Sequence, residues 1–374
     1  MVDLARKILF HDKLRFAITL CGVGFAVALV LVQAGLFMGL LDNASVTIDH
    51  LDADLWITAK ATPNIDFTNT FPETYVHRIR SIDGVERADN LIVWFIRVAL
   101  PSGAQEGVQI YAMDDFARWG MPWNVVEGSI ADLRRGRYVM IDDSATKRFG
   151  PFEVGQYREF LGTRMKIIGR TKEALSFTTT PIAFMNHSIM QAISPDLHNQ
   201  TNYIVVKLKP GTDHLAVAAE IRRSLPYNDV HTKAAWAALS RKYWITSTGL
   251  GLNLFLTVFL GALVGVVIVA QTLYSSTMEH LKEFGTIKAI GGSNFDIYRI
   301  LARQATLAAV GGFAVGAGMT LASQPLMQHL ELKLIMTGQF WAFVFAGTVI
   351  MCLAAAMISF RKVARLDPAM VFRG

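Results

Sequence analysis

The chain has 374 residues, of which 52% are hydrophobic and only 18% charged. Soluble domains carry about 25% charged residues, so this balance excludes an ordinary soluble globular protein. The formal net charge of +6 sits in short Lys/Arg clusters beside apolar blocks, a pattern that orients helices in a lipid bilayer and argues against a nucleic-acid partner.

In chain order, residues 1–15 read as an amphipathic cytosolic N-terminus carrying Arg6, Lys7, Lys13 and Arg15. Residues 16–41 hold no charge and are longer than the roughly 20 residues a helix needs to cross the hydrocarbon. A signal peptide would hold about 7–15 apolar residues before a small-x-small cleavage site, so a retained first span is expected. Residues 42–248 have the composition of a soluble α+β domain. Strands are expected at Asp54-Leu-Trp-Ile-Thr, Ile92-Val-Trp-Phe-Ile-Arg-Val-Ala, Gln109-Ile-Tyr-Ala-Met, Tyr138-Val-Met-Ile, Met165-Lys-Ile-Ile-Gly and Tyr203-Ile-Val-Val-Lys-Leu. Helices are expected at Glu73 to Arg80 and Asp213 to Leu225, giving two strand–helix–strand units. From Lys233 the pattern turns helical and runs through Tyr243 and Trp244 into the second span, as one stiff connection. Further spans follow at 249–274, 305–326 and 340–360, separated by a cytosolic segment at 275–304 and a short outer loop at 327–339, with a cytosolic tail at 361–374.

Basic residues fix the expected topology. Lys282, Lys288, Arg299 and Arg303 mark the 275–304 segment, and Arg361, Lys362, Arg365 and Arg373 mark the tail, whereas the 327–339 loop has only Lys333. Both termini and the 275–304 segment are therefore expected in the cytosol, and residues 42–248 outside it. Trp244, Tyr243 and Trp341 fall at the outer ends of spans, where amphipathic rings settle at headgroup level.

Catalytic signatures are missing from the sequence. There is no G-x-x-x-x-G-K-[ST] to cradle phosphates, and no H-E-x-x-H, C-x-x-C or G-x-S-x-G. His187 and His198 lack the neighbours of a metal site, and the pairs Asp114-Asp115 and Asp142-Asp143 read as solvated turn residues. Cys21 and Cys352 both lie in apolar blocks, which excludes a disulfide-built fold. The span cores hold no Asp, Glu, Lys, Arg or His, which weighs against an ion-coupled transporter. Gln33, Asn253 and Gln271 suit interhelical hydrogen bonds better than substrate contacts.

Small-residue pairs recur at Gly35 and Gly39, Gly261 and Gly265, and Gly312 and Gly316. They permit close helix approach, either within the chain or across a homodimer seam. The segment Met278-Glu-His-Leu-Lys-Glu-Phe-Gly-Thr-Ile-Lys-Ala-Ile-Gly-Gly-Ser reads as a short helix ending at Gly291-Gly292, with Ser293-x-x-Asp296 capping the next one. His280, Phe284 and Ile287 share one face. Such a helix either lies on the membrane surface or docks into a partner; the mixed signs of Glu279, Glu283 and Lys288 favour docking.

At this segment the chain resembles the FtsX/MacB-type permeases of ATP-binding-cassette systems, through His280-Leu-x-Glu283-Phe-Gly-Thr-Ile-Lys288-Ala-Ile-Gly291. Lys242-Tyr-Trp-Ile-Thr-Ser-Thr, Val264-Gly-Val-Val-Ile-Val-Ala-Gln-Thr-Leu-Tyr, Arg148-Phe-Gly-Pro and Arg365-Leu-Asp-Pro-Ala resemble the DevC-like branch. The resemblance implies the type VII fold: four transmembrane helices with a large α+β extracytoplasmic domain between the first two. It implies a non-enzymatic, homodimeric subunit of the inner membrane without cofactors of its own. ATP and Mg would be bound by a separate DevA/LolD-like ATPase, against which Glu279, His280, Glu283, Phe284, Gly285, Lys288, Ala289 and Gly291 would sit. A DevB/HlyD-like periplasmic adaptor and a TolC-like outer-membrane protein would complete the path of a lipid-like or amphiphilic substrate such as a glycolipid. An FtsX-like mechanical regulator of an envelope hydrolase, or a sensor without an ATPase, are the rival expectations.

Overall fold

The structure, a computed structural model, describes residues 13–178, 180–289, 292–330 and 332–364, without side chains at 281, 282, 288, 289 and 361–364. The helices used below are α1 (Lys13–Asn43), α2 (Tyr75–Arg80), α3 (His214–Ser224), α4 (Lys233–Thr246), α5 (Leu250–Glu279), α6 (Leu281–Ala289), α7 (Asn294–His329) and α8 (Gly338–Ala364). Two compact units result: Leu40–Gly249, and the helices on either side of it in sequence.

Four helices, α1, α5, α7 and α8, are long and apolar enough to cross a membrane. Their shared core joins Val23, Val27 and Leu31 of α1 to Val269 and Leu273 of α5, Leu301 and Ala305 of α7, and Cys352 and Ala356 of α8. α5 continues to Glu279 and α7 starts at Asn294, so both outrun their apolar blocks and leave only α6 between them. The helices meet through glycine. A Cβ on Gly316 would stand 2.6 Å from the Gly24 carbonyl oxygen, and one on Gly24 would stand 2.7 Å from Val315, so α1 and α7 touch backbone to backbone. Gly312 faces Val23, Gly261 faces Leu29, and Gly265 faces Met351 and Ala26. Gly35 abuts Leu334 and Gly39 abuts the Lys333 carbonyl, in the loop between α7 and α8. All six expected glycines thus pack against their own chain, and Gly24, outside the three spaced pairs, takes part in the backbone contact of α1 with α7. Asn253 and Gln271 are exposed, and Asn253 accepts from Thr257 of its own helix at 3.3 Å, so neither makes the expected interhelical bond here.

The other unit is built on a ten-stranded sheet. Its strands are β1 (Leu55–Ala59), β2 (Val85–Ala99), β3 (Gln105–Ala112), β4 (Val125–Glu127), β5 (Tyr138–Asp142), β6 (Tyr157–Phe160), β7 (Thr163–Thr171), β8 (Ile182–Met185), β9 (Tyr203–Leu208) and β10 (Asn228–Thr232). They pair in the order β10-β1-β9-β2-β3-β8-β5-β7-β4, with β6 against β2 and β7. The first four are antiparallel, and α2 joins β1 to β2 as α3 joins β9 to β10. That is a split βαβ arrangement, so the two expected strand–helix–strand units interleave in one sheet. Residues 100–202 form an insertion into it. β2 bridges the two halves: its start pairs with β9, and from Ile92 it pairs with β3.

Alternation along β1 sorts the core. Leu55 and Ile57 pack with Val76, Ile79, Val217 and Ile221 of α2 and α3, while Trp56 turns to the other face and packs with Trp236 of α4. α4 is capped by Thr232, whose hydroxyl accepts from Ala235 N at 3.3 Å, and it ends at Thr246. Gly249 at φ +72° separates it from α5, so the continuous helix expected from Lys233 into the second span is broken. Trp244 is also not a headgroup ring. It is 6% exposed and stacks face to face on Phe177 with centroids 3.8 Å apart, so its ring is covered by its own chain.

One member of each acidic pair departs from the solvated-turn expectation, while Asp114 is exposed and Asp143 half-exposed. Asp142 is fully buried and accepts from Ser144 N at 3.0 Å, the Thr171 hydroxyl at 3.0 Å and Ala174 N at 2.9 Å. Its carboxylate ties β5 to β7 and the following loop, offsetting its desolvation. Asp115 is largely buried between Arg118 at 3.0 Å and Arg134 at 3.3 Å.

Asp66 is a third buried carboxylate, on the loop after β1. Gln109 donates to its Oδ1 at 2.9 Å, but Oδ2 has no hydrogen-bond partner among the described residues. Burial pushes its pKa up to about 6, against the opposing pull of the Gln109 amide and the nearby Trp244 N–H. The folded state therefore holds this proton more tightly than the unfolded chain. Its contribution to stability is complete below pH 4 and is lost as pH rises through about 6. Asp66→Asn should remove that slope and raise stability at pH 7.5 by up to about 3 kcal/mol. Urea unfolding of the purified chain, followed by tryptophan fluorescence at pH 4.5, 6 and 7.5, checks this; an unchanged slope in the variant contradicts it.

Candidate coupling segment

α6 follows α5 almost without a break: Phe284 N donates to the His280 carbonyl at 3.1 Å. Phe284 is 3% exposed and belongs to the bundle core that includes Val269 and Leu273 of α5 and Ile297 and Leu301 of α7, with Ile287 packed against the same cluster. The face carrying His280, Phe284 and Ile287 therefore turns into the bundle. Spacing alone made Phe284 an outward anchor for a partner. The structure makes it the plug that seats α6, in a core to which the start of α7 contributes Ile297 and Leu301.

The charged residues close the same end of the bundle. Arg15 donates to Glu279 through both guanidinium nitrogens, at 2.6 and 2.8 Å, joining the start of α1 to the end of α5. Paired N–H donors aligned on one carboxylate fix orientation as well as distance. His280 Nδ1 lies 3.1 Å from Glu283 Oε1. Ser293 and Asp296 form a reciprocal cap on α7: Asp296 N donates to the Ser293 hydroxyl at 3.2 Å, and Ser293 N donates to Asp296 Oδ2 at 2.9 Å.

Glu283 and Thr286 face outward, Gly285 is half-buried, and Glu279 is exposed on the rim. Lys288 and Ala289 fall in α6 with their side chains outside the described residues, and Gly291 lies outside them altogether. Of the sequence-nominated residues, the structure thus gathers Glu279, His280, Glu283, Phe284 and Gly285 at one corner. Sequence reading missed Arg15 as a member, counting it only as an orienting charge. The available signal was a basic residue just before one apolar block and an acidic residue just after the next, which an up–down chain path brings to one end.

Phe284→Ala should destabilise the helix bundle by about 3–5 kcal/mol, the range for emptying a buried aromatic site. Glu283→Ala, on the exposed face, should stay within about 0.5 kcal/mol of the parent. Unfolding of the detergent-solubilised chain separates the two; equal effects would contradict the seating of Phe284.

The model of the MacB-like periplasmic core domain family matches residues 16–224, and that of the FtsX-like permease C-terminal family matches 255–368. An uncharacterized ABC transporter permease of Mycobacterium bovis is 24% identical over 368 residues, covering 97% of this chain and 96% of that protein. Another from Mycobacterium tuberculosis is 24% identical over 367 residues, with the same two coverages. Among solved structures, the periplasmic region of MacB from Actinobacillus actinomycetemcomitans is similar at 10% identity, over 50% of this chain and 92% of that one, with a TM-score of 0.40. The extracellular domain of the noncanonic ABC-type transporter YknZ from Gram-positive bacteria is similar at 15% identity, over 48% and 98%, with a TM-score of 0.36. With the first family matched across more than half of its length and the second across most of the remainder, this multi-pass membrane chain belongs to the FtsX/MacB-type ABC transporter permeases, a family that works with a partner ATPase.

Proposed function

We propose that the chain is the permease subunit of an ATP-driven exporter in the inner membrane, with both termini and α6 in the cytosol. The observation that carries this reading is the seat of α6: plugged by Phe284, adjoined by the Arg15–Glu279 clamp, and offering Glu283 and Thr286 outward. A helix held in this way transmits force from a separate DevA/LolD-like ATPase, which would bind the ATP and Mg. Lys and Arg clusters at the same end support the cytosolic orientation.

A homodimer is the assembly we favour. α5 is the least enclosed of the four spans. It exposes Asn253 and Gln271, eighteen positions and hence five turns apart, on one face. Polar amides in hydrocarbon gain from a partner helix. On the outer side, a DevB/HlyD-like adaptor and a TolC-like duct fit the export of a lipid-like or amphiphilic substrate, glycolipid among them. The FtsX-like regulator shares the same coupling physics but moves no substrate.

Co-expression with the neighbouring ATPase gene tests the reading. The ATPase should co-elute with the parent chain, and Glu283→Lys with Thr286→Arg should abolish co-elution without shifting the unfolding temperature. Unchanged co-elution of that double variant would remove α6 as the docking site. ATPase-dependent release of an amphiphile from proteoliposomes favours export, whereas activation of an envelope hydrolase without release favours the regulator.

A further inference from the structure

Both chain ends of the large unit, Leu40 and Gly249, continue into membrane-spanning helices, and within the unit the two ends run side by side. The Ser240 hydroxyl of α4 donates to the Ala44 carbonyl, just after α1, at 2.7 Å, and Arg241 lies 3.7 Å from Asp49. α4 begins at the far end: Lys233 N donates to the Asp54 carbonyl at 3.0 Å, and Thr232 pairs with Leu55 at the start of β1. α4 and β1 therefore run the same way, and the last turn of α4 lies at the end of the unit where β1 stops. From that end the chain passes into the bilayer.

Rings open to solvent gather there. Phe67, on the loop after β1, packs on Tyr243 and Trp244 with centroids 5.8 and 5.7 Å away, yet is 49% exposed. Tyr227, on the turn before β10, is 80% exposed. That turn is tied to the same loop: Asn228 pairs with Ala59 and donates from Nδ2 to the Thr58 carbonyl at 3.0 Å, and Ala61 N donates to Asp229 Oδ2 at 2.8 Å. Ile245 is exposed in the last turn of α4, as are Lys242 on the same helix and Lys60 on the loop. Scattered apolar side chains on a surface need no explanation. Aromatic rings and lysines at the end from which both crossings leave have the composition of the belt found at headgroup level, where a phenol or an ammonium stays wet while its apolar part enters the interface. Trp244, the ring expected at that level, is covered by Phe177 and Phe67, and Phe67 is the ring left in the open.

We propose that Phe67, Tyr227 and Ile245 rest in the headgroup layer, so that the large unit docks on the lipid surface as well as being tethered to the spans. This needs a chain that spans the membrane and does not rest on the export reading. The test places the full chain, with Cys21→Ser, in phosphatidylcholine nanodiscs and adds Phe67→Cys, Tyr227→Cys or Lys209→Cys, each labelled with the fluorophore NBD. Lys209 is the control: it is exposed after β9, at the opposite end of the sheet, because Val206 pairs with Leu55. The chain without an added cysteine supplies the background from buried Cys352. A lipid carrying a nitroxide on its headgroup should remove at least about half of the emission at 67 and 227 and less than about a tenth of it at 209. Should Phe67→Cys fail to fold, Tyr227→Cys carries the test from a more exposed position. Emission at 67 or 227 lost no more than at 209 would overturn the proposal. So would labels shielded from aqueous iodide yet bright with the nitroxide lipid, which would mean that protein covers this end. Either result, with ATPase co-elution intact, would leave the permease reading standing.

Discussion

An aromatic ring inserted between two extended helices is the constraint on which the coupling account depends. Phe284 is buried in a core that α7 reaches because it starts ahead of its apolar block, its first turns bringing Ile297 and Leu301 into the same cluster as Val269 and Leu273 of α5. Without that core α6 would be an amphipathic surface helix of nine residues, too short to be stable alone. With it, a short helix becomes a rigid extension of the bundle. The Arg15–Glu279 pair extends the same rigidity to α1, the helix whose C-terminal end leads into the large inserted unit. Force transmission requires this kind of stiffness more than it requires affinity, and packed cores supply it because they resist continuous deformation.

Glycine contacts complete that stiffness at mid-span. The crossing of Gly24 with Gly312 and Gly316 brings two backbones into contact, a geometry in which any added side chain would force the helices apart. α5 behaves differently. Its outward face is the most exposed in the bundle and carries two amides, so the chain combines a tightly packed interior with one face left for lipid or a second copy.

Much of this was legible in the sequence, for reasons that differ by element. Long uncharged blocks announce spans because few other structures tolerate them, and the short apolar-rich runs Leu55–Ala59 and Tyr203–Leu208 announce strands with two buried faces. The Ser293–Asp296 cap was readable because it is local. What escaped reading depended on which partner covers a face. Periodicity put His280, Phe284 and Ile287 together but could not show that α7 reaches back over them. Trp244 looked like a membrane-interface ring until Phe177, sixty-seven positions earlier, was found stacked on it. Asp142 looked solvated because its three donors come from positions up to 32 residues away. The glycine pairs were recognisable, but their register was not, since Gly24 is chosen by α7 and not by its own spacing.

Amide hydrogen exchange across α6 in the full-length chain reconstituted in nanodiscs tests the central claim most directly. If Phe284 seats the helix in the bundle, amides from Phe284 onward should be protected to an extent approaching that of the adjoining end of α5. Exchange there at the rate of an unstructured peptide, while α5 stays protected, would show that α6 is not fixed to the bundle and cannot relay force into it.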